Sequence, residues 1–155
     1  MTASDYSLSL ARTAALAADD KRGTDIAVID VSDNLVITDC FVIISADNER
    51  HLGSIVDEVE DKLRELGAKP VRREGVREGR WALLDYSDIV VHVQRNEERE
   101  FYALDRLWRD CPLIDIEGIE TPVRPAAWAG DVDVRSAASI DDIPLADKEP
   151  DADEL

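Results

Sequence analysis

Residues 81–92 read WALLDYSDIVVH. Two apolar runs, 81–84 and 89–91, flank a central turn and read as strands, in which successive side chains point to opposite faces. A two-residue turn at Tyr86–Ser87 predicts pairing of Asp85 with Asp88, Leu83 with Val90 and Trp81 with His92. One face of that hairpin carries Ala82, Leu84, Ile89, Val91 and Val93, an apolar set suited to lie under helices. The other carries Trp81, Leu83, Asp85, Asp88, Val90 and His92. A helix-covered core face seldom holds two acids, so the second face is expected to be partly open to a partner. Two other readings compete. Trp81 can be a partly buried core residue with His92 hydrogen-bonded locally, or Asp85, Asp88 and His92 can be ligands of Mg, Mn or Zn, which accept oxygen and nitrogen donors.

Around the hairpin the pattern is that of an α/β domain. Ser4 to Lys21 is rich in Ala and Leu, lacks Pro and Gly, and stops just before Gly23, which predicts a helix. Residues 25–31 and 35–46 are β-branched runs separated by SDN, so they read as a hairpin of strands buried on both faces. Leu52, Ile55, Val56, Val59, Leu63 and Leu66 form one helical stripe that ends at Gly67, with Glu58–Lys62 and Glu60–Arg64 as solvated i,i+4 pairs. A strand is predicted over 69–74, and the hairpin strands over 80–86 and 88–95. Asn96 then stands as the cap of a last helix over 97–109, with Glu97 and Glu98 where the helix dipole favours negative charge. On that helix Phe101, Leu104, Leu107 and Trp108 are expected to face the core, and Glu98, Arg99, Tyr102, Asp105 and Arg106 the solvent. Tyr102 with its arginine neighbours is the composition of an interface. The expected architecture is α/β, a mixed sheet of about five strands with helices mainly on one face.

Composition limits what such a domain can do. Acidic residues outnumber basic ones by 35 to 18, for a net charge of −17, so little direct nucleic-acid binding is expected. No apolar run approaches the roughly 18 residues of a membrane span, and Asp5 and Arg12 interrupt the amino end where a secretory signal would be unbroken. Cys40 and Cys111 have neither disulfide-framework nor zinc-site spacing, which fits a reducing cytoplasm. Beyond residue 112 the composition turns to Pro and acids without amphipathic period. The domain is therefore read as 1–112, followed by a disordered acidic extension over 113–155.

The segments ITDCFVI, RHLGSIVDEVEDKL, WALLDYSDIVVHV and NEEREFYALDRLW together resemble the ribosomal silencing factor family, also called iojap-like. The resemblance runs from about Ser7 to Trp108, with Ser87 standing where the family generally has glycine. It implies a nucleotidyltransferase-like α/β fold without demonstrated transferase chemistry. It also implies binding to large-subunit ribosomal protein fourteen, so that the small subunit cannot join and translation falls when nutrients are scarce. Trp81, Asp85, Asp88, His92, Glu98, Arg99 and Tyr102 are the expected partner-binding residues, with no catalytic residue, metal or cofactor.

Two further functions stay in competition. Metal-dependent nucleotidyl transfer needs clustered carboxylates beside a Gly-Ser phosphate turn, but the Gly53-Ser54 pair falls inside a predicted helix, SDN in a turn and DVD (131–133) in the extension. A homodimer could instead bury the open face against a second copy.

Overall fold

Alanine at five of the positions buried by the first helix lets it lie close over a sheet of β-branched strands. The computed structural model describes residues 3–125 and Trp128. Helix α1 (Asp5–Asp20) starts at Ser4, whose hydroxyl accepts the Ser7 N–H, and it buries Leu10, Ala11, Ala14, Ala15, Ala17 and Ala18. The stop foreseen at Gly23 has a spatial cause. A Cβ there would lie 2.7 Å from Ile44 Cγ2 and 3.1 Å from the Ala18 carbonyl, while the left-handed residue is the preceding Arg22.

Strands β1 (Thr24–Asp30) and β2 (Cys40–Ala46) pair antiparallel. Helix α2 (Glu49–Glu65), capped by Asn48, lays Leu52, Ile55, Val56, Val59 and Leu63 beneath the same face as α1. Then come β3 (Arg72–Glu74), β4 (Trp81–Asp85) and β5 (Ile89–Arg95), followed by α3 (Asn96–Tyr102) and α4 (Leu104–Leu107). The sheet order is β1-β2-β5-β4-β3, with β5 parallel to β2 and the other pairs antiparallel, so the mixed five-stranded α/β sheet is present as expected. Among the described residues no helix is long and apolar enough to cross a membrane.

Four local expectations are corrected. The β1–β2 connection spans residues 31–39 rather than SDN alone, and Val36 and Ile37 stand exposed in it. Asp39 is tied on three sides: its carbonyl accepts the Val31 N–H at 2.9 Å, its N–H donates to the Asp88 carbonyl at 3.0 Å, and its carboxylate accepts from Ser4 and Ser7, with the regular β1–β2 ladder running from Cys40. This is tertiary contact overriding β propensity. In the β4–β5 hairpin the turn is Ser87–Asp88, with Leu83 opposite His92, Asp85 opposite Val90 and Trp81 opposite Gln94. Ser87 adopts φ 70° there, and the Asp85 carboxylate accepts its N–H at 2.8 Å. Each pairing moves by two residues, so no side chain changes face. The last helix breaks at Ala103, φ 44°, and Asn96 is its first residue rather than its cap. On α2, Arg64 pairs with Asp61 and Lys62 with Glu65, while Arg73 takes Glu60 through two hydrogen bonds of 2.9 and 3.0 Å.

Past residue 112 the chain runs along the outer edge of β1. The Asp30 N–H donates to the Pro112 carbonyl and the Ile114 N–H to the Val28 carbonyl, which satisfies backbone groups that an edge strand would leave open. Ile114, Ile116 and Ile119 pack against the main core. Of the acidic extension expected over 113–155, residues 126–127 and 129–155 lie outside the described residues, and with them the expectation of disorder there.

Two carboxylates hold the start of α1. Asp30 accepts from Ala3 N–H and from the amide and hydroxyl of Ser32, and Asp39 accepts from Ser4 N–H and Ser7 Oγ. Burial pushes the Asp30 carboxyl up and Asp39 nearby adds to that, but its hydrogen bonds outweigh both and leave it below its ordinary value. The Ser4 amide chiefly lowers Asp39, against a burial effect of opposite sign. A carboxyl lowered by folding stabilises above the ordinary value of 3.8 and loses that contribution as pH falls through the folded value. Asp39→Asn is therefore expected to cost about 1 kcal/mol at pH 7 and to weaken the loss of stability below pH 4. Urea titrations at pH 7 and pH 3 measure both, and parallel pH profiles for the variant and the natural chain would contradict the assignment.

Candidate protein-docking face

Strand alternation sorts the sheet into two faces. α1 and α2 cover the one bearing Val42, Ile44, Ala82, Leu84, Ile89, Val91 and Val93. The other bears Ala27 and Ile29 of β1, Phe41, Ile43 and Ser45 of β2, Val90, His92 and Gln94 of β5, and Trp81, Leu83 and Asp85 of β4. α3, α4 and Leu113 cover the β1–β2 side of this face, where Leu104 and Trp108 pack with Ile29, Val31 and Ile43. Toward β4 it stays half-open, with Trp81, Leu83, Asp85 and Val90 all partly exposed.

An aromatic chain crosses this face. The Trp81 indole N–H donates to His92 Nδ1 at 3.1 Å, and the Tyr102 ring of α3 lies 4.8 Å from Trp81. On the other side His92 meets Phe41 edge-on at 5.3 Å, and Phe41 meets Trp108 edge-on at 5.4 Å. His92 itself is only 7% exposed. Burial first, and the Arg99 charge second, push its pKa down to about 4. It is therefore neutral at physiological pH, and the indole contact assigns Nδ1 as acceptor and the proton to Nε2.

The expected partner-binding residues divide in the structure. Trp81 and Tyr102 present partly exposed rings, Asp85 is partly exposed on the same face, and Asp88 is exposed in the turn beside it. Glu98, expected toward solvent, is buried at 5% exposure, with Arg95 Nε at 3.5 Å and Arg80 Nη1 at 3.9 Å. Arg99 was also expected outward, but it grips Asp105 by bonds of 2.9 and 2.6 Å and donates to Ser45 Oγ at 3.0 Å. The break at Ala103 turns Asp105 back toward Arg99, and a continuous helix period did not foresee that. Asp85, Asp88 and His92 do not form a metal cluster. Asp85 closes the turn, Asp88 projects from it, and His92 Nδ1 is taken by Trp81; among the described residues no three His, Cys, Asp or Glu side chains are grouped to hold an ion.

Phe41 was missed as a member of this face. Its signal was the alternation of Phe41, Ile43 and Ser45, legible only once β2 is known to lie parallel to β5 in the register Phe41 opposite Val90 and Ile43 opposite His92. Gln94 was missed as well. It is fully buried on this face, and neither amide atom of its side chain has a hydrogen-bond partner among the described residues.

These features define a class: a small α/β protein whose histidine and ion pairs hold a half-open aromatic surface in place. The family described as ribosomal silencing factor during starvation matches residues 4–141. The ribosomal silencing factor of Bacillus subtilis is 38% identical over 109 residues, covering 70% of this chain and 92% of that one. A crystal structure of a Chromobacterium violaceum protein superposes with TM-score 0.64 at 30% identity over 66% of this chain and 85% of that one. One from Bacillus halodurans gives TM-score 0.62 at 30% identity over 73% and 100%. The chain belongs to the ribosomal silencing factor family.

The state of His92 generates a prediction. A histidine lowered by folding binds fewer protons folded than unfolded, so its contribution to stability is complete above pH 6.5 and shrinks as pH falls toward about 4. The Trp81 indole N–H resonance should hold its position from pH 8 to pH 5 and move only near pH 4. An NMR titration of that signal with a midpoint near 6.5 would show that His92 is not held neutral.

Proposed function

We propose that this protein represses translation under nutrient limitation by binding the free large ribosomal subunit through ribosomal protein fourteen. The bound chain occupies ground that the small subunit needs, so the mechanism is steric and requires no turnover. Family membership supports the ribosomal target, and one observation carries the choice of surface: the half-open pair of Trp81 and Tyr102, locked from below by His92. Aromatic rings with restrained rotamers lose little freedom on docking and supply most of the energy of protein interfaces. Asp85 and Asp88 place negative charge at the rim, which suits a protein surface better than a phosphate backbone. His92, Glu98 and Arg99 act from beneath, holding β5 and α3 in the geometry that presents the two rings. The site of action is the cytoplasm, where the subunits meet.

Trp81→Ala is expected to weaken binding to purified large subunits by about 2 kcal/mol, roughly thirtyfold, and Tyr102→Ala by about half that energy. Co-sedimentation measures the affinity, and monosome formation from mixed subunits measures the block. Undiminished monosome formation at saturating natural protein would contradict the steric mechanism. A collapse of the thermal midpoint in Trp81→Ala would make the ring a core residue instead, since a buried Trp costs about 3 to 5 kcal/mol to truncate. The mass of the free protein in solution, natural and Trp81→Ala, shows whether a second copy uses the same face.

A further inference from the structure

Arg124 lies sixteen residues beyond Trp108, outside the stretch that carries the family motifs. Its guanidinium donates from Nη1 to the Arg109 carbonyl at 2.6 Å, and from Nη2 to the carbonyls of Cys111 at 2.5 Å and Trp108 at 3.4 Å. These carbonyls belong to the C-cap of α4 and the turn that follows it, where the Trp108 carbonyl also accepts the Cys111 N–H at 2.9 Å, so the guanidinium gathers the segment that leaves the helix. A planar fork of N–H groups can bind several of them at once, which a lysine ammonium cannot do in the same geometry.

What α4 touches gives that contact a consequence. The Trp108 ring stands edge-on to Phe41, Phe41 edge-on to His92, and His92 accepts the Trp81 indole N–H. The same short helix carries Asp105, which grips Arg99 of α3 less than one turn before Tyr102. Both rings of the docking pair are thus joined to α4, by separate routes. Pro122, Val123 and Pro125 meanwhile line a cleft of ≈ 500 Å³ with Asn96, Arg99 and Ala103, along one flank of α3.

We propose that Arg124 is a positioning residue for the docking face, fixing the end of α4 so that Trp108 and Asp105 hold Trp81 and Tyr102 in the orientation the partner meets. Residues 113–125 are then part of the functional unit rather than an appendage to it. This rests on the docking reading above, and the test separates the two.

The full chain and its Arg124→Ala and Arg124→Lys variants are compared by affinity for purified large ribosomal subunits, by the indole N–H resonances of Trp81 and Trp108 in the free protein, and by thermal midpoint. Arg124→Ala should bind about tenfold more weakly and move both resonances, while the midpoint falls by less than about 5 °C. Arg124→Lys, with fewer aligned donors, should fall between it and the natural chain. Unmoved resonances in Arg124→Ala overturn the proposal, and so do moved resonances with natural affinity. If the natural chain itself fails to bind large subunits, the docking reading fails, and the Trp81 resonance alone decides whether Arg124 orders that face. Should Arg124→Ala not fold, Arg124→Lys decides by the same resonances and affinity.

Discussion

A neutral imidazole on the central strand β5 is the constraint on which the open face depends. Burial opposes a charge on His92, and the guanidinium of Arg99 opposes it further, so the ring keeps one nitrogen as acceptor at physiological pH. That acceptor faces Trp81. An indole offers one donor and no acceptor, and this hydrogen bond is what turns a large ring at a strand start into a fixed surface rather than a mobile one. Tyr102 then packs on the fixed ring. The Arg99–Asp105 pair serves both ends of the arrangement: it sets the charge beside His92 and binds α4 to α3 across the break at Ala103.

The architecture was largely legible because its determinants are periodic. The i, i+3, i+4 stripe of α2 and the alternation of β4 and β5 each name a buried face without knowledge of the rest of the chain, and Ser4 with Gly23 bounded α1 correctly. What failed was punctuation. The β1–β2 loop and the Ser87–Asp88 turn are set by where the carboxylates of Asp39 and Asp85 find N–H groups, and Asp39 reaches across more than thirty residues to Ser4 and Ser7. A hydrogen bond at that separation leaves no trace in a local pattern. Val36 and Ile37 lie in the β1–β2 loop: β-branched residues that read as strand, they stand in solvent.

The proposed docking face was legible in part for the same reason. Trp81, Asp85 and His92 share a face in any antiparallel register that preserves strand parity, so the error in the turn did not disturb that grouping. Arg99 was misplaced because a single helical period was carried through Ala103, where the backbone enters the left-handed region and returns Asp105 to it, and Glu98 because Arg80 and Arg95, from before the helix, meet it. Phe41 and Arg124 depend on contacts between segments distant in the chain: the parallel pairing of β2 with β5, and the return of residues 113–125 along β1 to the end of α4. The chain beyond the recognisable motifs thereby completes the support of a surface built within them.

On the proposed reading, His92 contributes to ribosome binding only through Trp81. A double-mutant cycle tests it directly, with Trp81→Phe, His92→Phe and the double variant measured for affinity to purified large subunits. Phenylalanine keeps an aromatic ring at each position while removing the donor or the acceptor. The account predicts that His92→Phe weakens binding in the natural chain but adds nothing once Trp81 is already Phe, a coupling of about 1 kcal/mol or more. Losses that simply add would show that the two residues act independently, and that the hydrogen bond between them does not organise the docking face.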